Sequence, residues 1–379
     1  MLQRTDATQS SGPPGSLEAA SLTQSRAGVS NSFDPTFEIQ GRPVGPGHPC
    51  YIVAEAGSNH NRDLGIAREL IDVAANAGAD AVKFQTYTGA NLYSSKTPRF
   101  GYIKDERSPR ELIDAIALPR EWQEELMSHA ESRGIHFFST PFDHDAVDSL
   151  AKLGVGVLKI ASFELVDLQL IRKAASVGVP LILSTGMATY GEVEDALGAI
   201  ARTENRAVAL LRCASLYPAP PQIMNLRAMA TLRQAFGVPV GLSDHTEGVA
   251  MAAAAAALEA NVYEKHFTLD RSMEGPDHSF ALEPEELGAA VAAIRDVESA
   301  LGSGRLQGPS EAESKEMFTL GRRSLVATQD IPAGTLITAE MLVAKRPGYG
   351  IAPKHLELVV GRRASVDIES DDVITWEMV

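Results

Sequence analysis

Short apolar runs typical of buried β-strands alternate with segments of helical periodicity from about residue 50 to residue 270. Apolar residues recur at helical spacing in 64–77 and 169–177, and 251–258 is an almost pure alanine run that predicts a further helix. The predicted strands are 51–54, 81–84, 136–139, 157–160, 181–184, 207–212, 238–242 and 262–265. About eight strand–helix units in roughly 215 residues predict the α/β class and, within it, a (β/α)8 TIM barrel. A doubly wound open sheet is the rival fold, but no glycine-rich dinucleotide fingerprint follows the first predicted strand.

The predicted barrel segment, 37–301, is flanked by regions of different composition. Residues 1–36 are rich in Ser, Gly, Thr and Gln and poor in large apolar residues, which predicts a disordered extension. Residues 302–321 mix charges with Gly and Pro and are expected to form a linker with some helix. The tail, 322–379, consists of short strand-like runs and turns and predicts a small β-rich domain.

The tail contains an internal repeat. Asp330-Ile-Pro-Ala-Gly-Thr-Leu-Ile-Thr-Ala-Glu-Met-Leu342 recurs as Asp367-Ile-Glu-Ser-Asp-Asp-Val-Ile-Thr-Trp-Glu-Met-Val379, with Asp-Ile, Ile-Thr and Glu-Met in register. This repeat predicts two similar β-turn units packed about a local pseudo-twofold axis. The second copy lacks the Gly334 of the first, so its turn must differ in detail.

Composition and charge narrow the functional classes. The chain has 379 residues with 34 Lys and Arg against 49 Asp and Glu, and its formal net charge of −15 argues against nucleic acid as a partner. No apolar run approaches the roughly 20 residues that span a bilayer, and the amino terminus lacks the apolar core of a signal peptide. A cytoplasmic protein without membrane association is therefore expected. Cys50 and Cys213 are too few for a disulfide framework or a thiolate-rich zinc site.

Two histidines stand at the ends of neighbouring predicted strands. His245 ends Val238-Pro-Val-Gly-Leu-Ser-Asp-His and His266 ends Asn261-Val-Tyr-Glu-Lys-His, with the alanine-rich helix between them. In a parallel βαβ unit both imidazoles lie at the carboxyl edge of the sheet, where α/β enzymes carry their active sites. Two neutral imidazoles there can share one divalent cation, with water and substrate completing its coordination. The alternative is a pair of partly buried, hydrogen-bonded histidines.

Two lysines lie within apolar β-runs, Lys83 in Val-Lys-Phe and Lys159 in Leu-Lys-Ile. A cation on an inward-facing barrel position is costly unless it is paired. Hydroxyl residues also follow the predicted strands, namely Thr140, Ser162, Ser184 and Ser243. Lysines and hydroxyls at one sheet edge predict a site for a phosphate or carboxylate of a ligand. An internal ion pair with Glu55 or Glu164 is the alternative.

Three glutamates, Glu55, Glu164 and Glu264, lie at or just after the carboxyl ends of predicted strands and are candidates for proton transfer. Spacing does not decide which of them acts, and each could instead hold a lysine in place. Asp277 lies on a loop after the last strand that could fold over the mouth of the barrel, and its neighbour His278 is expected at the surface. Composition and spacing thus predict a metal-assisted barrel enzyme that binds a small anion, without choosing among a condensation, a lyase and a hydrolase.

Short motifs occur at the ends of the predicted strands and in the tail. Those in the barrel segment are Ala54-Glu-Ala-Gly-Ser-Asn-His60, Gly78-Ala-Asp-Ala-Val-Lys-Phe-Gln85, Ser139-Thr-Pro-Phe-Asp143, Lys159-Ile-Ala-Ser162, Ser184-Thr-Gly-Met187, Tyr217-Pro-Ala-Pro220, Gly241-Leu-Ser-Asp-His245 and Glu264-Lys-His-Phe-Thr268. Those in the tail are Arg322-Arg-Ser-Leu325 and Lys345-Arg-Pro-Gly348. From about residue 37 to residue 379, the chain resembles the sialic acid (nonulosonate) synthase family, and its tail is similar to that family's antifreeze-like SAF domain, a β-clip fold.

The resemblance implies a specific reaction. Carbon 3 of phosphoenolpyruvate attacks the aldehyde of an open-chain N-acylated amino sugar, water adds at carbon 2, and inorganic phosphate leaves. By resemblance, His245 and His266 bind Mn²⁺ or Mg²⁺, which acts as a Lewis acid. The implied phosphoenolpyruvate ligands are Lys83, Thr140, Lys159, Ser162, Ser184, Ser215 and Ser243. The implied catalytic groups are Glu55, Lys83, Lys159 and Glu264, and the implied sugar contacts are Gln85, Glu164, Tyr217, Asp277 and Arg346. Ser215 stands where several bacterial members carry Asn, so the contact there is expected to differ.

The resemblance also implies a homodimer in which the small domain of one subunit caps the barrel of the other. Arg346 would then reach the partner's site and bind the N-acyl group of the sugar, whereas a surface ion pair is its alternative role. N-acetylmannosamine, which gives N-acetylneuraminate, is the family default, and a pseudaminic or legionaminic acid synthase acting on a 2,4-diacetamido-2,4,6-trideoxyhexose is the alternative. Two rivals are a barrel synthase of a 3-deoxy-ulosonic acid phosphate and a catalytically silent sugar- or ice-binding protein that uses the tail.

Overall fold

The computed structural model describes residues 33–98, 107–314 and 316–379. The chain divides into two compact units, Met1–Leu301 and Gly302–Val379. Most of the predicted disordered extension, 1–36, lies outside the described residues. Phe33 packs against the barrel core, and the backbone N–H of Asp34 donates to the carbonyl of Arg206. Residues 33–36 therefore belong to the folded unit rather than to the extension in which the sequence analysis placed them.

Eight parallel strands close into a barrel, which confirms the predicted TIM barrel. They are β3 (Tyr51–Gly57), β4 (Ala81–Thr86), β5 (His136–Pro141), β6 (Leu158–Ile160), β7 (Leu181–Ser184), β8 (Val208–Cys213), β9 (Val240–Asp244) and β10 (Val262–His266). Around the barrel their order is β10-β3-β4-β5-β6-β7-β8-β9. Several strands extend beyond the apolar runs that predicted them, because main-chain pairing continues through polar residues. Glu55 is paired in register with Lys83, and Gln85 with Thr140. This extension brings polar side chains to one end of the barrel.

A hairpin that the sequence analysis did not predict precedes the barrel. It consists of β1 (Phe37–Ile39) and β2 (Arg42–Val44), joined by Gln40 and Gly41 with φ of 47° and 82°. Such positive φ values at both central residues are typical of a tight hairpin turn. Each strand has only three residues, too few to show a clear alternation in the sequence.

Helices cover the outside of the barrel. They are α1 (Leu64–Asn76), α2 (Gly89–Leu92), α3 (Pro109–Ile116), α4 (Gln123–Ser132), α5 (His144–Leu153), α6 (Leu168–Ala175), α7 (Tyr190–Ala201), α8 (Ala228–Phe236), α9 (Ala250–Ala257) and α10 (Pro284–Leu301). The three helices predicted from periodicity are present as α1, α6 and α9. Side chains cap several of these helices, as Asp63 does for α1 and Asp143 for α5, each accepting a hydrogen bond from a first-turn backbone N–H. Within the described residues, no helix is long and apolar enough to cross a membrane.

The second unit has its own small apolar core and an antiparallel pair, β11 (Ser324–Ala327) with β12 (Leu342–Lys345). Its short helices are α11 (Glu311–Ser314), α12 (Met317–Gly321) and α13 (Leu356–Val359). The predicted repeat forms a pseudo-twofold pair, because the backbones of Ile331 and Ile368 bond to each other in both directions. The side chain of Asp367 accepts from the N–H of Ala333 at 2.7 Å, and Asp330 accepts from Ser370 at 2.8 Å.

Candidate active site

The carboxyl ends of the barrel strands surround a polar cavity. Its lining residues are Glu55, Lys83, Gln85, Thr140, Lys159, Ala161, Ser162, Ser184, Cys213, Tyr217, Ser243, His245, Glu264 and His266. This set contains most of the site residues expected from the sequence. Ser215, Glu164 and Asp277 are not among the lining residues, and Arg346 belongs to the second unit. Because side chains alternate along a strand, every second residue of each strand end faces this cavity.

A buried charge cluster centres on Lys83. Its Nζ lies 2.7 Å from Oε2 of Glu55 and 3.6 Å from Oε1 of Glu264, and it donates to Oγ1 of Thr140 at 3.1 Å. Gln85 donates to the other oxygen of Glu55 at 2.7 Å. Burial by itself would lower the pKa of Lys83, but the carboxylates of Glu264 and Glu55 outweigh it and the pKa is raised. Lys83 is therefore a fully charged cation, and it takes the internal ion pair that the sequence analysis held as the alternative.

Lys159 is in a different electrostatic position. Its Nζ donates to Oγ of Ser184 at 2.6 Å and to the carbonyl of Ile160 at 3.1 Å, while Oε1 of Glu264 is 3.9 Å away. Burial lowers the pKa of Lys159, and the attraction of Glu264 does not fully offset it. A ligand anion beside this ammonium would supply the missing negative charge. Of the two lysines, Lys159 is thus the one whose positive charge is less well compensated by the protein and would be stabilised by a bound anion.

Several buried polar atoms around the strand ends have no hydrogen-bond partner among the residues that the structure describes. They include Oε2 of Glu264, Oε2 of Glu164, Oγ of Ser215 and Nδ1 of His266. Buried polar groups are nearly always paired in folded proteins, so a group of unpaired atoms at one end of a barrel marks a place for a polar ligand or water.

A glycine permits two of the hydroxyls to converge. The backbone N–H of Gly186, just after β7, donates to Oγ of Ser162 at 3.0 Å. A Cβ at position 186 would collide with the hydroxyl of Ser215 and would lie 2.7 Å from that of Ser162. Any larger residue would therefore displace these hydroxyls. The structure brings Ser215 to this region even though it does not line the cavity.

The two histidines of the predicted metal pair lie side by side, with ring centroids 5.5 Å apart. Nδ1 of His245 is 2.7 Å from the carbonyl of Ala214, so it carries the proton and leaves Nε2 as a ligand atom. Burial holds the pKa of His266 well below its ordinary value, which keeps this imidazole neutral. The rings of Tyr217 and Phe280 pack against the pair.

This donor set fits a divalent cation. One imidazole is oriented by a carbonyl, and the other is neutral with a buried nitrogen that has no hydrogen-bond partner in the described part of the chain. Across 33–98, 107–314 and 316–379, no group of three or more His, Cys, Asp or Glu side chains is arranged to hold a metal ion. As a metal site, the histidine pair would be a partial ligand set of the kind that leaves positions open for water and substrate.

The loop after β10 carries His278, which was expected at the surface, and Asp277, which was expected near the mouth of the barrel. His278 is fully buried rather than at the surface, and its ring nitrogens lie 2.6 Å from Oγ1 of Thr268 and 3.2 Å from Oδ1 of Asn61. Asp277 lies at the mouth with Oδ2 3.8 Å from Nδ1 of His266. The hydroxyl of Ser58 donates to the same oxygen at 3.2 Å. Buried polar contacts made between distant segments, which the sequence does not show, hold this loop in place.

Cys213 is a cavity residue that the sequence analysis considered only for disulfide and zinc chemistry. Its Sγ lies 3.7 Å from Nδ1 of His245. The signal that could have found it is its position as the last residue of β8, at the level where the other strands deliver polar side chains.

Comparisons with known proteins agree with this geometry. The profile of the NeuB family matches residues 70–306, and that of the SAF domain matches residues 322–379. The chain belongs to the NeuB family. It is 41% identical to the N,N'-diacetyllegionaminic acid synthase of Campylobacter jejuni, over 85% of this chain and 98% of that protein.

Other members of the NeuB family match over similar lengths. The pseudaminic acid synthase of Helicobacter pylori is 38% identical over 84% of this chain and 94% of its own length. A crystal structure of the N-acetylneuraminic acid (sialic acid) synthetase of Leptospira borgpetersenii superposes with a TM-score of 0.67 at 34% identity, covering 76% of this chain and 96% of that one. The NeuB-family chain described here therefore carries the fold and domain pair of nonulosonate synthases, and the resemblance stated from its motifs is confirmed.

Proposed function

We propose that this protein condenses phosphoenolpyruvate with an open-chain N-acylated amino sugar to give a nine-carbon 2-keto acid and inorganic phosphate. The observation that carries this proposal is the convergence of two buried lysines, two buried glutamates and a histidine pair at the mouth of the barrel. Lysines and hydroxyls suit a phosphate, and the histidine pair suits a cation that faces an aldehyde oxygen. The cytoplasmic location expected from the sequence stays a prediction.

In the proposed reaction, Lys159, Ser184 and Ser162 bind the phosphate and carboxylate of phosphoenolpyruvate. Carbon 3 forms a bond to the aldehyde carbon, water adds at carbon 2, and the bond between carbon 2 and the phosphate oxygen breaks. Lys83 and Lys159 stabilise the negative charge on the departing phosphate. When bound by His245 and His266, Mn²⁺ or Mg²⁺ supplies Lewis acidity toward the aldehyde oxygen. Glu55, with Glu264 beside it, accepts the proton of the attacking water.

The acceptor is proposed to be a 2,4-diacetamido-2,4,6-trideoxyhexose of the legionaminic type, with N-acetylmannosamine as the alternative. The 41% identity to a legionaminic acid synthase, against 34% to the sialic acid synthetase structure, supports this order. The experiment is phosphate release from phosphoenolpyruvate with Mn²⁺, with N-acetylmannosamine and the legionaminic- and pseudaminic-type sugars offered in parallel. Release with the legionaminic-type sugar is expected. Release with another sugar alone would refute the proposed acceptor, and folded protein that is silent with all three would refute the reaction.

The rate is expected to rise with pH near neutrality. Burial raises the pKa of Glu55 to about 7, against the lowering effect of Lys83, and burial likewise raises the pKa of Glu164 to about 7. A carboxyl with a raised pKa is protonated below that pH, so the form that accepts a proton exists mainly above it. We expect kcat, measured with both substrates saturating, to fall about tenfold per pH unit below roughly pH 6.5.

Matched glutamine variants show which carboxyl causes this fall in kcat at low pH. For Glu55→Gln, kcat should be low and independent of pH between 5.5 and 8. For Glu164→Gln, kcat should still fall at low pH as in the wild type. The reverse pattern would move the proton acceptor to Glu164. A wild-type kcat that does not change between pH 5.5 and 8 would contradict the role of either carboxylate.

Arg346 is proposed to complete the sugar site of a partner subunit in a homodimer. It is exposed, its Nε donates to the carbonyl of Gly321 at 2.7 Å, and the N–H of Gly348 donates to Thr319 at 2.7 Å, so its segment is held within its own unit. Loss of one charged hydrogen bond of about 1.5–3 kcal/mol predicts that Arg346→Ala raises the KM for sugar by roughly 10- to 150-fold, with little change for phosphoenolpyruvate. Mixed dimers with a Lys159→Met subunit should regain activity, because one barrel then has both intact parts. Absence of this complementation would show that Arg346 does not act across subunits.

A further inference from the structure

A second buried ion pair lies near the cavity, on the two neighbouring strands at whose ends the histidines lie. Nζ of Lys265 is 2.9 Å from Oδ2 of Asp244, and the two residues are register partners on β10 and β9. Asp244 is 0% exposed and Lys265 2%. Because side chains alternate along a strand, this pair faces away from the cavity that Ser243 and Glu264 line.

The carboxylate of this pair has a full set of donors. Oδ2 of Asp244 accepts from Lys265 and from the hydroxyl of Tyr263, both at 2.9 Å. Oδ1 accepts from the backbone N–H and the hydroxyl of Thr246, at 2.9 and 2.8 Å. The ammonium of Lys265 also donates to the carbonyl of Thr246. The pair therefore binds main-chain and side-chain groups at both strand ends and has little freedom to move.

The residues that make these contacts are sequence neighbours of the two histidines proposed to bind the metal. Asp244 and Thr246 are the residues before and after His245, and Lys265 directly precedes His266. We propose that Asp244 and Lys265 are positioning residues that lock the ends of β9 and β10 together, so that the imidazoles of His245 and His266 are preorganised to share one cation. This inference rests on the metal site of the proposed function.

Stability alone is a weak reason for such a pair. Taking both charges out of water costs about as much as their attraction returns, and apolar pairs of similar volume often serve as well. An apolar pair, however, could not accept from the N–H and the hydroxyl of Thr246, as Asp244 does, or donate to the carbonyl of Thr246, as Lys265 does. Groups that orient metal ligands typically contribute about 10- to 100-fold to metal affinity.

The test is Mn²⁺ binding to the purified full chain, measured by titration calorimetry and by the electron paramagnetic resonance signal of free Mn²⁺. Asp244→Asn by itself leaves a buried lysine unpaired and could impair folding, so the decisive variant is the double substitution Asp244→Asn with Lys265→Met, which removes both charges. We expect this variant to melt as one cooperative unit and to bind Mn²⁺ about 10- to 100-fold more weakly than the wild type.

A matched control removes a buried carboxylate from the other end of the barrel. Asp80, just before β4, pairs with Arg42 and Arg295 and accepts from the N–H of Ile52 at 2.8 Å, with its side chain 4% exposed. Asp80→Asn should lower the melting temperature while leaving Mn²⁺ affinity unchanged. An equal loss of Mn²⁺ affinity in this control would show general loosening of the barrel and would overturn the inference.

The remaining outcomes separate this inference from the proposed function. If the wild type binds one Mn²⁺, His266→Ala abolishes that binding and the double variant keeps wild-type affinity, the positioning role is refuted and the metal site stands. If the wild type binds no Mn²⁺, or if His266→Ala binds as tightly, both the metal site and the positioning role are refuted.

Discussion

Replacement of His266 by alanine is expected to lower the rate of metal-stimulated phosphate release by at least about 10³-fold. A bound cation stabilises the transition state by several kcal/mol, and each 1.36 kcal/mol changes the rate tenfold. His245→Ala should do the same. The neutral, buried imidazole of His266 and the carbonyl-oriented ring of His245 are the proposed ligands, so the loss of either ring should remove the cation. The measurement is the initial rate of phosphate release after metal removal by a chelator, with Mn²⁺ then added back in steps.

His136→Ala is the control for this pair. His136 also lies on a barrel strand and contacts the hydroxyl of Tyr51 at 2.7 Å, but it stands at the beginning of β5, at the end of the barrel opposite the cavity. Its substitution should leave the rate within about threefold of the wild type. Undiminished activity of the wild type after complete chelation would disprove the metal assignment.

Replacement of Lys159 by methionine is expected to raise the KM for phosphoenolpyruvate by roughly 10- to 150-fold, because a charged hydrogen bond is worth about 1.5–3 kcal/mol. The KM for sugar should change little. Burial lowers the pKa of the ammonium, and the described residues do not fully compensate its charge, so a methionine of similar shape should not reduce folding stability. Inorganic phosphate should raise the melting temperature of the wild type and not that of the variant.

Lys83→Met provides the contrast. It removes the cation that lies 2.7 Å from Glu55 and 3.6 Å from Glu264, which leaves two buried carboxylates without their nearest cation. This variant should therefore lose folding stability as well as activity. A Lys159→Met variant that binds phosphate normally, or that loses sugar affinity instead, would refute the anion-binding role.

The sequence could predict the barrel because each strand and helix leaves a local signal. The alternation of apolar runs with helical spacing placed all eight strands, and the observed bounds differ mainly by extra polar residues at the carboxyl ends, as in β3 and β10. The hairpin β1–β2 was missed because three-residue strands carry too little periodicity. The repeat in the tail was visible since matching letters reflect matching backbone contacts, and Ile331 and Ile368 do pair.

The sequence could predict which residues line the candidate site, but not which charged side chains form ion pairs within it. Strand-end position was enough to bring Lys83, Lys159, Glu55 and Glu264 into one cavity, because parallel strands deliver their carboxyl ends to the same edge. The sequence could not say that Lys83 takes Glu55 as its partner while Lys159 is left poorly compensated. That difference depends on side-chain separations of a few ångströms, which register and barrel curvature decide.

The sequence by itself therefore determined the fold class, the repeat in the tail and the residue types at the strand ends, because these follow from periodicity and local order along the chain. Only the tertiary structure decided which charges are paired and that His278 is buried between Thr268 and Asn61. It also decided that Asp244 and Lys265 form an ion pair between the ends of β9 and β10. Those outcomes depend on contacts between segments far apart in the chain and on the cost of burying charge. The local pattern of apolar and polar residues predicts neither.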